Sequence, residues 1–334
     1  MSFRGWEKDK LALSDGRKVD AFCPVIVSAS RATDIPAFFS EWFLKRLLAG
    51  YVRWTNPFNA NQVQYVSFKR TRVIVFWSKN PSPIIQYLPE IDEFNINYYF
   101  QFTLNDYEIE DLEPNVPPLT RRIETFKRLS DKIGSKRVIW RYDPLILSDT
   151  LTVDELLCRI SRLAAMLHTY TKRLVISFAD INIYKKVRNN LARQPHEYCE
   201  FTNELMVTFA EGLAALNKEW GLEISTCAES LDLNKYGFRK SRCIDDNLMI
   251  DVFKEDRNLM KFLGYEPGLF GGTPRPYLKD EGQRKECGCI VSKDIGMYNT
   301  CHHLCTYCYA NASIKAVQNN FRKHSPDSDS IIVL

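Results

Sequence analysis

The feature that most constrains this chain is a recurring unit: a short apolar run that ends in a polar residue and is followed by a stretch of helical periodicity. Residues 24–30, 62–68, 72–77, 97–103, 137–140, 174–178 and 222–226 are such runs, rich in β-branched and aromatic residues, as strands buried on both faces are. Phe39, Trp42, Phe43, Leu47 and Leu48 fall on one helical face with Gly50 as its stop, and Leu119, Ile123, Phe126, Leu129 and Ile133 form another, ended by Gly134. Thr152 and Glu155 have capping-box spacing, each able to satisfy the other's N–H, ahead of Leu156, Ile160, Leu163 and Leu167; residues 201–220 form a longer helical region. Strands alternating with such helices make parallel βαβ units. About six or more of them predict an α/β fold that is a full or partial (β/α) TIM-like barrel, with a doubly wound sheet as the alternative.

Polar residues recur just beyond the strands: Ser30 and Asp34, Lys79, Thr103, Arg141 and Asp143, Asp180, then Cys227 and Glu229. In a barrel these positions share one rim, where active sites are built. An Asp15-Gly16 turn makes residues 1–24 a hairpin extension, and the barrel occupies 25–231. From 232 to 322 periodicity weakens, breakers crowd 264–276 and cysteines accumulate. This segment is expected to complete the barrel and to need an ordering force other than a core. The tail, 323–334, is polar enough to fray between His324 and Ser330, although 331–334 are apolar enough to dock.

Composition bears on the cysteines. The chain of 334 residues is 45% hydrophobic and 26% charged, as ordinary globular proteins are, and it has neither an apolar leader nor a run long enough to span a bilayer. A cytoplasmic protein with no membrane partner is expected, and a net charge of +4 falls short of a dedicated nucleic-acid binder. In that setting closely spaced cysteines read as metal or redox sites, not disulfides. Cys301, Cys305 and Cys308 stand at C-x3-C-x2-C; three thiolates in one loop can hold an iron–sulfur cluster with one iron left open, or a zinc knuckle completed by His302 or His303. Cys227, Cys243, Cys287 and Cys289 make a second four-thiolate set, for another [4Fe–4S] cluster or, through Cys287 and Cys289, a zinc half-site. Cys23, Cys158 and Cys199 lack partners at ligand spacing and are expected in packing.

The C-x3-C-x2-C loop with Tyr307 before its last cysteine resembles the signature of the radical S-adenosylmethionine (SAM) superfamily. Ser28-Ala29-Ser30-Arg31-Ala32-Thr33-Asp34-Ile35-Pro36, Phe76-Trp77-Ser78-Lys79-Asn80-Pro81, Trp140-Arg141-Tyr142-Asp143-Pro144, Thr226-Cys227-Ala228-Glu229 and the stretch around Cys287-Gly288-Cys289 resemble an uncharacterised bacterial family, domain of unknown function 1848. Lys79 and the Arg141-Tyr142-Asp143-Pro144 motif are also loosely similar to spore photoproduct lyase and its relatives, in which the cysteine strand comes first. The resemblance therefore implies a circularly permuted radical SAM core carrying a [4Fe–4S] cluster that reductively cleaves SAM to a 5'-deoxyadenosyl radical. SAM, an electron donor such as flavodoxin or ferredoxin, and a small-molecule or nucleotide substrate are the implied partners. It puts Tyr307 beside the adenine of SAM, with Ser30 and Asp34 as further cofactor-binding candidates and Lys79, Arg141 and Asp143 as catalytic ones; Arg141 and Asp143 read equally as a structural ion pair. Tyr309 is expected in the core.

Overall fold

The computed structural model describes residues 3–13, 15–56, 59–265 and 278–333. In chain order the elements are β1 (Lys8–Ala12), β2 (Lys18–Phe22), β3 (Ile26–Ala29), α1 (Ile35–Phe38), α2 (Ser40–Ala49), β4 (Tyr51–Asn56), β5 (Asn59–Ser67), β6 (Val73–Ser78), α3 (Leu88–Asp92), β7 (Asn97–Thr103), α4 (Leu119–Ile133), β8 (Val138–Leu145), β9 (Leu147–Ser148) and α5 (Val153–Leu167). They continue with β10 (Arg173–Phe178), α6 (Lys185–Leu191), β11 (Tyr198–Cys199), α7 (Asn203–Trp220), β12 (Glu223–Thr226), β13 (Arg239–Lys240), α8 (Asp246–Phe253), α9 (Arg257–Leu263), β14 (Lys293–Asp294) and α10 (Ile314–Phe321).

Eight strands form one sheet in the order β13-β12-β10-β8-β7-β6-β3-β14, and every pairing in it is parallel. Its interior strands are almost continuously buried, because helices or other chain cover both faces. Alternation divides their side chains. Ile74, Phe76, Phe100, Trp140 and Ile176 pack with Trp42, Phe43, Phe126, Leu129, Ile160 and Leu213 of the flanking helices. Val73, Val75, Tyr99, Ile139 and Val175 face the other way, onto Leu248, Met249 and Phe253 of α8 and Leu259, Met260 and Leu263 of α9.

The last strand in sequence, β14, lies beside β3, the first strand of the parallel sheet. Asp294 fastens this junction. Its carboxylate accepts hydrogen bonds from Ser28 Oγ (2.7 Å), Ser30 Oγ (2.9 Å), the Arg31 N–H (2.9 Å) and the Gly296 N–H (2.8 Å).

Several expectations are corrected. Strand β5 belongs to a second, four-stranded sheet, β1-β2-β5-β4, so the amino-terminal hairpin is joined to the body of the fold. The segment after residue 232 does contain a core: α8 and α9 are capped by Asp245 and Asp256 and bury six apolar side chains, but they are too short for their periodicity to stand out among the surrounding loops. Most of the breaker-rich stretch 264–276 lies outside the described residues. The tail docks: Ser328 O accepts from Trp42 Nε1 (3.0 Å), Asp329 O accepts from the Arg53 N–H (2.7 Å), and Ile331 and Ile332 join the main core. Leu48 is 69% exposed, one step off the buried face of α2. Cys158 and Cys199 are exposed; only Cys23 of that trio is buried. The capping box is half formed, with Thr152 Oγ1 accepting from the Glu155 N–H (3.2 Å) while the Glu155 carboxylate turns to Arg159 Nε (2.6 Å).

Candidate functional site

The carboxyl-terminal ends of the parallel strands open into a cavity of about 390 Å³. Asp34, Lys79, Thr103, Arg141, Asp143, Asp180, Cys227 and Glu229 all line it, since residues just past successive parallel strands emerge on the same edge of a sheet. Cys301, Cys305 and Cys308 line the same cavity, as do Cys243, Cys287 and Cys289. Two groups of thiols therefore share one space, with Cys227 and Cys243 brought to it from well before the rest in the chain. All are free cysteines. Among the described residues, no three His, Cys, Asp or Glu side chains already stand at the spacing of a single bound ion.

The cysteine loop is held down by a polar network rooted in β6 and in the loop after β7. Lys79 Nζ donates to Glu113 Oε1 (2.7 Å) and to the Tyr307 hydroxyl (2.8 Å), and that hydroxyl donates to Glu113. Asn105 Nδ2 donates to Glu113 (2.9 Å) and Tyr307 (3.1 Å), while Arg122 backs Glu113 from behind at 3.4 Å. Burial disfavours both charges of the Lys79–Glu113 pair, yet their mutual attraction outweighs it: Lys79 stays above the usual lysine pKa and Glu113 below the usual carboxylate value. Tyr307 thus lines the cavity, with its hydroxyl committed to protein.

Asp34 is committed as well. Its carboxylate accepts from the Ala37 N–H (2.9 Å), Ser78 Oγ (2.8 Å), the Lys79 N–H (2.7 Å) and His303 Nε2 (2.8 Å). It caps α1, joins β3 to β6, and clasps the cysteine loop through His303. Ser30 is a further correction to the expected site: it lies outside the cavity wall, 2% exposed and turned onto Asp294. Tyr309, expected in the core, is 49% exposed at the cavity mouth, where it stacks on Tyr184 with ring centroids 5.5 Å apart.

Arg141 lies against the second thiol group. It donates from Nε to Asp143 Oδ2 (2.9 Å) and from Nη1 to Gln101 Oε1 (3.1 Å) and Cys243 Sγ (3.1 Å), while Asp143 also accepts from Ser177. Burial would raise the Asp143 carboxyl, but the guanidinium beside it holds it below the usual range. Both readings of the pair have a basis, as an ion pair and as cavity wall. The Cys227 thiol is lowered to about 7 by its hydrogen bond with Cys243, with Arg141 adding to the effect against burial. Glu229 is half-buried, and desolvation, with Asp180 nearby, pushes it up to about 7.

Residues 26–310, from β3 through the end of the cysteine loop, match the family described as Domain of unknown function (DUF1848). The chain belongs to the DUF1848 family. The DUF1848 region takes in every strand of the eight-stranded parallel sheet and all seven cavity cysteines, and leaves outside it the β1–β2 hairpin and α10 with the tail. No curated protein matches the chain. Among solved structures, a candidate α-L-fucosidase from Bacteroides thetaiotaomicron is 12% identical, over 59% of this chain and 72% of its own, with a TM-score of 0.22. Dihydropyrimidinase from Brevibacillus agri is 10% identical, over 76% and 52%, with a TM-score of 0.29. Superpositions this loose leave the fold to be argued from its sheet topology. No helix among the described residues is long and apolar enough to cross a membrane.

The sequence does not mark Glu113, Asn105, Arg122 or Asp294 as site-building residues, and it marks His303 only as a possible zinc ligand, whereas in the structure that ring is bonded to Asp34. Glu113 opens a proline-rich loop and Asp294 sits in a two-residue strand, so no periodicity marks either. Arg31 was likewise unmarked. It lines the cavity with its guanidinium 5.4 Å from the Trp77 ring, and its buried Nη2 has no hydrogen-bond partner.

Proposed function

We propose that this DUF1848 protein is a radical SAM-type iron–sulfur enzyme, built on a (β/α) barrel whose cluster-bearing strand comes last in the chain. The observation that carries the reading is the position of the C-x3-C-x2-C loop: it follows β14, which pairs with β3, and its three thiols line the cavity at the strand ends. That is the neighbourhood expected if a leading cluster strand had been moved to the back of a closed barrel, a rearrangement that leaves packing unchanged.

The donor set fits a cluster. Cys301, Cys305 and Cys308 supply three thiolates and leave one iron open, and burial keeps Cys301 and Cys305 protonated without metal, so loading releases protons. Held by Cys301, Cys305 and Cys308, a [4Fe–4S] cluster would supply one-electron reducing chemistry at an open iron able to bind SAM, with a flavodoxin- or ferredoxin-like donor as the source of the electron. This chain's own residues orient and shield. Lys79, Glu113, Asn105 and Asp34 fix the loop; Arg31 Nη2 is an unpaired donor suited to a carboxylate; Tyr184 and Tyr309 wall the mouth. The Arg284 guanidinium lies 5.6 Å from the Tyr184 ring and pairs with Asp180, so it braces an aromatic wall that favours a planar substrate such as a nucleotide.

The test is anaerobic reconstitution of the full chain with iron and sulfide, followed by SAM and dithionite. Release of 5'-deoxyadenosine and methionine by the wild type, lost in Cys305→Ala with the circular dichroism spectrum retained, supports the reading. Deoxyadenosine at the wild-type level from Cys305→Ala, or a wild-type protein that binds only zinc and never cleaves SAM, overturns it in favour of a non-catalytic metal protein.

A further inference from the structure

The second thiol group carries an inference that does not depend on what binds at Cys301, Cys305 and Cys308. Its four cysteines come from three places: Cys227 just after β12, Cys243 just after β13, and Cys287 with Cys289 in the loop before β14. Cys227 Sγ and Cys243 Sγ are 3.7 Å apart. Four thiolates bound to one zinc at about 2.3 Å stand about 3.8 Å from one another, the edge of the coordination tetrahedron. A cubane cluster spreads its thiolates over four different irons and holds them well beyond that separation.

The surroundings suit metal-bound sulfur. Cys289 Sγ accepts backbone hydrogen bonds from Cys243 (3.2 Å) and Ile244 (3.5 Å), and Cys243 Sγ accepts one from Arg141 Nη1 (3.1 Å). Donors of this kind orient thiolate ligands and offset their charge. Arg31, part-buried, lines the same cavity as Cys243 and Cys289, so two guanidinium groups accompany a tetrathiolate zinc centre of net charge about −2. The scaffold beneath is rigid: Cys243 O accepts from Tyr99 Oη (2.7 Å) and Gln101 Nε2 (3.0 Å), both on the sheet.

We infer that Cys227, Cys243, Cys287 and Cys289 bind a single tetrahedral zinc ion that ties the loop before β14 to the ends of β12 and β13. One pair already has the required spacing, and the ion draws the Cys287–Cys289 pair onto it. The role is structural, since four protein thiolates leave no open position.

The test uses the full chain carrying Cys301→Ala, Cys305→Ala and Cys308→Ala together, so that only the second group remains, supplied with Zn²⁺ or Co²⁺ under anaerobic conditions. The expected result is about one zinc per chain, and with cobalt the intense visible bands and sulfur-to-metal charge transfer of a tetrahedral thiolate site. Adding Cys287→Ala and Cys289→Ala should remove both signals. Zinc-edge X-ray absorption gives a readout that does not depend on that variant's folding: four sulfurs at about 2.3 Å support the site, and fewer than three overturn it. Uptake of about four irons with sulfide in preference to zinc overturns it too, as does absence of bound metal.

Discussion

Lys79 and Tyr307 are 228 residues apart in the chain, and the Lys79 ammonium donates a 2.8 Å hydrogen bond to the Tyr307 phenol. One residue directly follows β6, an interior strand of the sheet, and the other belongs to the cysteine loop, so this contact, with Glu113 between them, is one of the places where the loop is fastened to the fold.

Tyr307→Phe removes a hydroxyl that meets Lys79, Asn105 and Glu113. Buried partners left short of a bond cost roughly 1–3 kcal/mol. A fall in urea-unfolding free energy of that size, together with weaker retention of iron by the reconstituted protein, is expected. Unchanged stability and iron content would show that the ring alone holds the loop.

Gly296→Ala tests the β3–β14 junction. A methyl group there would lie 1.8 Å from Ser30 Oγ and 2.5 Å from Ser30 Cβ, a clash that costs about 1–3 kcal/mol or more. Ser30→Gly removes both atoms, so the double variant should regain most of what Gly296→Ala loses beyond the Ser30→Gly effect. Strict additivity of the two substitutions in denaturant unfolding would contradict the contact.

The Arg159–Glu110 pair is buried outside the cavity lining, with side-chain exposures of 4% and 1% and two bonds of 2.8 Å. Arg159→Met leaves the Glu110 carboxylate without its cation and is expected to destabilise by about 3–5 kcal/mol. The double change Arg159→Met with Glu110→Leu should recover a large part of that loss. Calorimetric unfolding of the set decides it.

Ending the chain after Lys323 removes Ile331 and Ile332 from the core and the carbonyl that Trp42 bonds. Burial of two such side chains is worth roughly 3–6 kcal/mol as an upper value. The shortened protein should unfold at lower denaturant and show a new protease-sensitive region around α2. A truncated chain of full stability would return the tail to the frayed state its composition suggests.

What the sequence determined by itself is what local physics writes into a few consecutive residues. The run at 97–103 is β7, the apolar face ending at Gly134 is α4, and Thr152 caps α5, because strand burial, helical periodicity and capping each act within about ten residues. The meeting of Asp34, Lys79, Arg141, Asp143, Cys227 and Glu229 at one cavity was legible for the same reason, as residues just past parallel strands share an edge. Tertiary structure alone decided the rest. That β14 pairs with β3, that Asp294 receives Ser30, that Glu113 joins Lys79 to Tyr307, and that α8 and α9 cover the second face of the sheet are contacts between segments distant in sequence. Each is set by complementary shape and charge at the point of packing. A two-residue strand or a lone carboxylate carries no local pattern from which its partner could be read.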